Sequence, residues 1–371
     1  MSNSEYEAEK RALFLLNNIP GMSSDILLKM YEYAGSFTEC HAAAPAVFYA
    51  AGIFKRPDMA EKFEVMKRNE NELLKKYEML QNDGIRLVSI LDEEYPERLK
   101  NIDARPPLLY VCGKLPDEAR PTAGIIGARK CSEYGKSVTL FFAEELSKAG
   151  IQVVSGLAYG IDGAAAAGSL RGADESYGVL GCGVNICYPK ENWALYNKMK
   201  GGAGGILSEF PPDTAPLGYH FTLRNRIIAG LSDVLLVIEA GEKSGTSITV
   251  GYALDQGKEI FALPGRITDP LGFGCNRMLK DGANILTSPS DVLEYFGMGD
   301  DTVLKMGEKD LGTLSPKEKQ VYKALLHKSQ HVEAIAAKCK FDLSETMTVL
   351  AGLEAKGYAA SPHGAYYRKS F

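Results

Sequence analysis

The sequence predicts an α/β protein: a mostly parallel sheet with helices on both faces, a helical segment before it and a small helical module after it. Three observations carry that prediction. From about residue 84 to 298, short β-favouring runs alternate with helix-length segments, and the runs are apolar throughout, as in strands buried on both faces. The first 80 residues instead repeat their apolar positions every three or four residues. The loops that follow the strands are rich in Gly, Ser and Arg, and ligands of such sheets bind at the carboxyl ends of strands.

Along the chain, Leu15 to Met22 joins two short helical patterns through Pro20-Gly21, a hairpin shape that can grip a DNA backbone through main-chain amides. Met59, Phe63, Met66, Leu73, Tyr77 and Leu80 then line one face of a single long helix. The strand runs are Gly124–Gly127, Ile151–Ser155, Gly178–Gly181, Gly205–Leu207, Val234–Ile238 and Glu259–Ala262. Residues 299–313 read as a polar linker. Beyond it, Ser315 and Glu318 form a capping box for a helix through Leu325 and Leu326. A second helix spans about Val332 to Cys339, and Ser344 caps a third that ends at Gly357. Tyr358 to Arg368 alternates around His363-Gly364 like a hairpin, which completes a winged helix-turn-helix. The expected domains are therefore 1–82 (helical, SAM- or helix-hairpin-helix-like), 84–298 and 314–371.

Four segments carry binding chemistry. The first, Gly127-Ala128-Arg129-Lys130-Cys131-Ser132, follows a strand and precedes a helix near Tyr134. Gly127 admits close backbone approach, Arg129 and Lys130 add charge, and Ser132 with the helix N-terminus offers donors to a phosphate. The second, Ser155-Gly156-Leu157-Ala158-Tyr159-Gly160-Ile161-Asp162, combines two glycines with Tyr159, a possible stacking ring, and Asp162, read as structural. The third is Phe221-Thr222-Leu223-Arg224-Asn225-Arg226. Guanidinium forks match phosphate oxygens and an aromatic face stacks on a base. Residues two apart on a helix point about 200° apart, so one of Arg224 and Arg226 is expected at the ligand and the other in an internal contact. The fourth, Lys243-Ser244-Gly245-Thr246, lies on a glycine-flanked loop opening a helix, another anion cradle.

Bulk properties exclude several classes. The 371 residues have net charge −5, with 13 Lys+Arg against 17 Asp+Glu over residues 1–100, so an anion site must be a local cluster. Residues 310–371 carry 9 against 6. The seven cysteines are scattered without CxxC spacing, which fits a reducing cytoplasm and neither a zinc site nor a disulfide framework. No run approaches a membrane span. There is no GxxxxGK[ST], and Gly181-Cys182-Gly183 lacks the third glycine of a dinucleotide fingerprint because position 186 is Ile. No HExxH occurs, and no cofactor is implied.

Taken in order, Gly127-Ala128-Arg129, Ser155 to Asp162, Tyr188-Pro189-Lys190-Glu191-Asn192, Ser208-Glu209, Phe221 to Arg226, Lys243 to Thr246 and Pro264-Gly265 resemble the DNA processing protein A (DprA/Smf) family. Tyr95 to Leu99 and Pro107 to Gly113 are similar to that family's approach to its extended Rossmann fold. The likeness covers nearly the whole chain. It implies a cytoplasmic, non-catalytic homodimer that binds single-stranded DNA, protects incoming strands in natural transformation and hands them to the recombinase RecA. Carried over by motif, Arg129, Ser132, Phe221, Arg224, Arg226, Lys243 and Ser244 fall at or beside the DNA pocket. The chain departs from the family where Tyr159 replaces a frequent Arg and where Ala165-Ala166 replaces Ala-His. The first change removes a charge and shifts affinity toward stacking. The competing reading is a nucleotide phosphoribohydrolase on a similar scaffold, whose PGGxGTxxE loop ends in a catalytic Glu. Here Thr249 stands in that place, and a hydroxyl cannot serve as an ionised carboxylate does.

Overall fold

A computed structural model of the chain describes residues 2–173, 175–242, 244–298, 314–325 and 330–369. The chain divides into two compact units, Met1–Gly299 and Asp300–Phe371.

The first unit begins with six helices, α1 (Asn3–Asn17), α2 (Ser24–Ala34), α3 (Phe37–Ala42), α4 (Pro45–Ala50), α5 (Met59–Arg68) and α6 (Glu70–Met79). The single helix expected over 59–80 is thus two. Asn69, outside helical dihedrals, ends one and begins the other. The break lets α5 bury Met59, Phe63 and Met66 while Tyr77 of α6 meets Phe14 of α1 edge-on at 5.2 Å.

The sheet follows: β1 (Arg86–Ser89), α7 (Glu97–Lys100), β2 (Leu108–Gly113), β3 (Thr122–Ile126), α8 (Glu133–Lys148), β4 (Gln152–Ser155), α9 (Ile161–Gly172), β5 (Ser176–Val179), α10 (Trp193–Lys200) and β6 (Gly204–Ser208). It continues with α11 (Gly218–Leu231), β7 (Val234–Val237), α12 (Thr246–Asp255), β8 (Glu259–Ala262), α13 (Phe273–Lys280), β9 (Asn284–Ile285) and α14 (Pro289–Tyr295). The strand order is β1-β2-β6-β5-β4-β3-β7-β8-β9. Pairing is parallel from β6 through β9, whereas β1 and β2 join antiparallel.

The fully buried strands explain why their sequences read as continuous apolar runs. In β2, Leu108, Tyr110 and Cys112 face one core and Leu109 and Val111 the other. The first core joins the N-terminal helices to α9 and α10; the second is covered by α7, α11 and α12. Tyr110 Oη donates to Asn17 Oδ1 at 2.9 Å, and Lys10 Nζ lies 3.1 Å from Asp92, so polar ties also link the helical segment to the sheet. The order around β3 matters for function. The chain leaves β3 toward β4 on one side and returns from β6 to β7 on the other, which opens a crevice at the carboxyl ends of β3, β4 and β7.

The second unit has α15 (Pro316–Ala324), β10 (Gln330–His331), α16 (Val332–Cys339), α17 (Leu343–Ala355), β11 (Ala359–His363) and β12 (Tyr366–Lys369). Val321, Ile335, Leu350 and Leu353 form its core. Ser315 and Glu318 make the reciprocal capping box on α15. The cap of α17 is Asp342, not Ser344: its Oδ1 accepts from Glu345 N at 2.7 Å, and a carboxylate also complements the positive helix end. The two-residue strand β10, pairing with β12, is too short to leave a sequence signal. The linker over 299–313 and Leu326 lie outside the described residues.

Candidate nucleic-acid interface

The crevice holds a cavity of about 490 Å³. Gly127, Arg129 and Lys130 reach it from the loop after β3, Ala158 from the loop after β4 and Asp162 from the first turn of α9. Phe221, Arg224 and Asn225 come from α11, Ser244 and Gly245 from the loop before α12, and Thr246 and Thr249 from α12 itself. Sequence-distant loops thus converge on one space. The N-terminal turns of α11 and α12 border it, so main-chain dipoles add to the positive charge of Arg129, Lys130 and Arg224. Among the lining residues Asp162 is the one carboxylate.

Arg129 and Lys130 are exposed at the rim. The Arg129 guanidinium lies over the Phe221 ring, 5.2 Å from its centroid, a cation–π contact that keeps the fork beside an aromatic face. Phe221 continues into Tyr188, centroids 5.5 Å apart and planes 33° apart, and Tyr188 meets Tyr159 at 6.4 Å. Arg129, Phe221, Tyr188 and Tyr159 therefore form one chain of contacts at the cavity mouth, with Tyr159 edge-on to Tyr188 at 78°.

Arg224 borders the cavity but directs Nη1 inward, to Gly156 O at 2.8 Å and to Val179 O. Asp162 lies beside it and accepts from Gly156 N at 3.1 Å. Burial lowers the Arg224 guanidinium to about 10, opposed by the Asp162 charge, so it stays protonated at neutral pH. Burial likewise raises the Asp162 carboxyl, with Arg224 pulling the other way. Any Cβ on Gly156 would lie 2.4 Å from Arg224 Nη2 and 2.5 Å from Asp162 Oδ2. The glycine is there to let this buried pair form. Gly160, at φ +72°, would bring a Cβ within 2.3 Å of Ala128 O, so it seats the second loop against the first. Asn192 Nδ2 holds the same loop by donating to Leu157 O and Ala158 O, both at 3.0 Å.

Several residues expected at the ligand have other tasks. Arg226 points away from the cavity, as its helical offset from Arg224 requires, and pairs with Glu209 in the interior. Ser132 caps α8 by accepting from Gly135 N at 2.9 Å. Its N–H and hydroxyl donate to Glu239, so that carboxylate already fills the anion position at this helix end. Ser155 and Gly156 are fully buried at the end of β4. Tyr159 stands exposed outside the cavity. Lys243 lies outside the described residues. Tyr188, Glu239 and Asn192 join the site only in the folded structure. The position of Tyr188 within Tyr188-Pro189-Lys190-Glu191-Asn192 was its one signal.

Among the described residues no group of His, Cys, Asp and Glu could hold a metal ion, and all seven cysteines are free. No described helix is long and apolar enough to cross a membrane.

The fold and crevice define a protein of the Rossmann-like, doubly wound class with a cationic, aromatic-rimmed cavity at its switch point. The chain belongs to the DNA processing protein A (DprA/Smf) family: the family model described as DNA recombination-mediator protein A matches residues 86–297. Protein Smf of Escherichia coli (strain K12) is 34% identical over 296 residues, 78% of this chain and 79% of that protein. DNA processing protein DprA of Bacillus subtilis (strain 168) is 39% identical over 212 residues, 57% of this chain and 71% of that protein. Among solved structures, the X-ray structure of DprA from Streptococcus pneumoniae matches with TM-score 0.65 and 32% identity, covering 79% of this chain and 98% of that one. DNA processing protein A from Helicobacter pylori, described for its single-stranded DNA binding mode, matches with TM-score 0.51 and 28% identity, covering 57% of this chain and 95% of that one.

Proposed function

We propose that this protein binds single-stranded DNA in the cavity at the carboxyl ends of β3, β4 and β7. The observation that carries the proposal is Arg129 held over the Phe221 ring at the cavity rim. An exposed guanidinium for phosphate, resting on an aromatic ring that adjoins the exposed ring of Tyr188, suits a strand whose bases are unpaired. The H. pylori relative, described for its single-stranded DNA binding mode, supports the same reading. On this reading the protein is a cytoplasmic homodimer without catalytic activity. It shields incoming strands during transformation or recombination and passes them to RecA, and the second unit is a winged helix. Thr249 at the cavity wall, in place of a catalytic carboxylate, argues against nucleotide hydrolysis.

Fluorescence anisotropy of labelled single- and double-stranded oligonucleotides across a salt series tests this, with wild type and Arg129→Ala. The expected result is much tighter binding of the single strand, weakened by Arg129→Ala with a flatter salt dependence. No binding at physiological salt, or a variant that matches wild type, would overturn it.

A further inference from the structure

We propose that Tyr188 and Tyr159 continue the stacking surface that Phe221 begins, so that a bound strand lays its next bases across these two rings after leaving the cavity. The proposal rests on the reading of the cavity as a single-strand site and specifies which rings beside it the strand meets.

The spacing decides how bases meet the rings. A base sandwiched between two rings needs two stacking distances of about 3.4 Å, roughly 7 Å in all. The Phe221–Tyr188 and Tyr188–Tyr159 centroids are 5.5 and 6.4 Å apart, too close to admit one. Tyr188 is tilted 33° from Phe221 and Tyr159 stands edge-on to Tyr188 at 78°, so bases lie on outward faces that turn from one ring to the next. Both tyrosines are exposed, Tyr188 at 38% and Tyr159 at 41%, far more than structural aromatics such as Tyr110 and Tyr196, which are buried. Each step along the line exceeds the base rise of about 3.4 Å, so the strand is stretched, one nucleotide to a ring.

Charge separates the roles. Arg129 and Lys130 are exposed cations at the cavity rim. Glu191, on the turn Lys190–Asn192, lies against Tyr159. Phosphates are therefore held by Arg129 and Lys130, and Tyr159 contributes by stacking alone.

The test is an anisotropy titration of an oligothymidine carrying one abasic spacer, moved position by position, against wild type, Tyr159→Ala, Tyr159→Phe and Arg129→Ala. Tyr159→Ala is expected to weaken binding of the intact oligonucleotide roughly five- to tenfold, near the low end for one stacked base, with the log–log salt slope unchanged. Tyr159→Phe should bind as wild type does. In Tyr159→Ala, one spacer position that costs affinity in wild type should cease to matter. Wild-type affinity for Tyr159→Ala, or an equal loss at every spacer position, overturns the proposal. If Arg129→Ala weakens binding while Tyr159→Ala does not, the track alone fails. If wild type itself does not bind the strand, the single-strand reading fails first. Tyr159 is exposed, so its variants should keep the wild-type denaturation midpoint, which checks that the fold is intact.

Discussion

Arg226 and Glu209 face each other as a bidentate pair inside the first unit, Nη1 to Oε1 at 2.8 Å and Nη2 to Oε2 at 2.6 Å. Both side chains are more than nine-tenths buried. Ser24 at the start of α2 donates to Glu209 Oε2 at 2.8 Å, and Arg226 Nε donates to Ala104 O at 3.0 Å. The pair therefore pins α11, the loop after β6 and the N-terminal helices to one another. Removing one partner of such a pair leaves a buried charge uncompensated. Arg226→Met is expected to cost about 3–5 kcal/mol of stability in chemical denaturation. The folded fraction should keep the wild-type salt slope for single-stranded DNA.

Arg129 has the opposite profile. It is exposed, and its Phe221 contact is worth about 0.5–1 kcal/mol at such a site. Arg129→Ala should leave the denaturation midpoint within experimental scatter. In titrations from low to high salt, it should reduce the log–log slope by about 0.7 for one lost phosphate contact.

Gly160, packed behind the cavity loops, and Gly218 of the cavity wall should respond differently to alanine. Gly160 has φ +72° and a virtual Cβ 2.3 Å from Ala128 O, so Gly160→Ala must displace one loop from the other. A loss of about 1–3 kcal/mol together with weakened DNA binding is expected. At Gly218 nothing lies within 4 Å of the added atom, and Gly218→Ala should be neutral in denaturation. Equal effects from the two substitutions would contradict this packing.

Acid should destabilise the fold through two histidines. Burial lowers the imidazole of His220, against the pull of the Ala215 carbonyl, Glu209 and the Gly181 backbone. Burial also lowers His41, against Glu70, with Lys67 adding to the fall. A histidine whose folded value lies below its ordinary 6.5 stabilises the fold while neutral in both states. That contribution is lost as pH falls below about 6.5, where the unfolded chain takes up the proton first. Urea midpoints should drop between pH 7.5 and 5.5. His220→Phe, which keeps a ring between Phe210 and Tyr219, should show a shallower drop.

The sequence by itself determined the α/β class, the parallel strands and the loops that would meet. Apolar runs, turn glycines and caps such as Ser315 with Glu318 act over a few residues and can be read locally. It also yielded the opposed directions of Arg224 and Arg226, because helical geometry separates them whatever surrounds them. Only the tertiary structure decided what each met. The side-chain partners of Arg226 are Glu209, 17 residues away, and Ser24, 202 residues away, and no local rule selects them. Ser132 read as a phosphate donor because its helix start was visible, while Glu239, 107 residues on, was not. Gly156 and Gly160 read as openings for a ligand, whereas the structure fills that space with a buried Arg–Asp pair and a neighbouring backbone. Tyr188 became part of a surface only when packing brought it within 5.5 Å of Phe221. Burial and ring contacts depend on what the folded chain brings together, and that information resides in the three-dimensional arrangement rather than in any stretch of sequence.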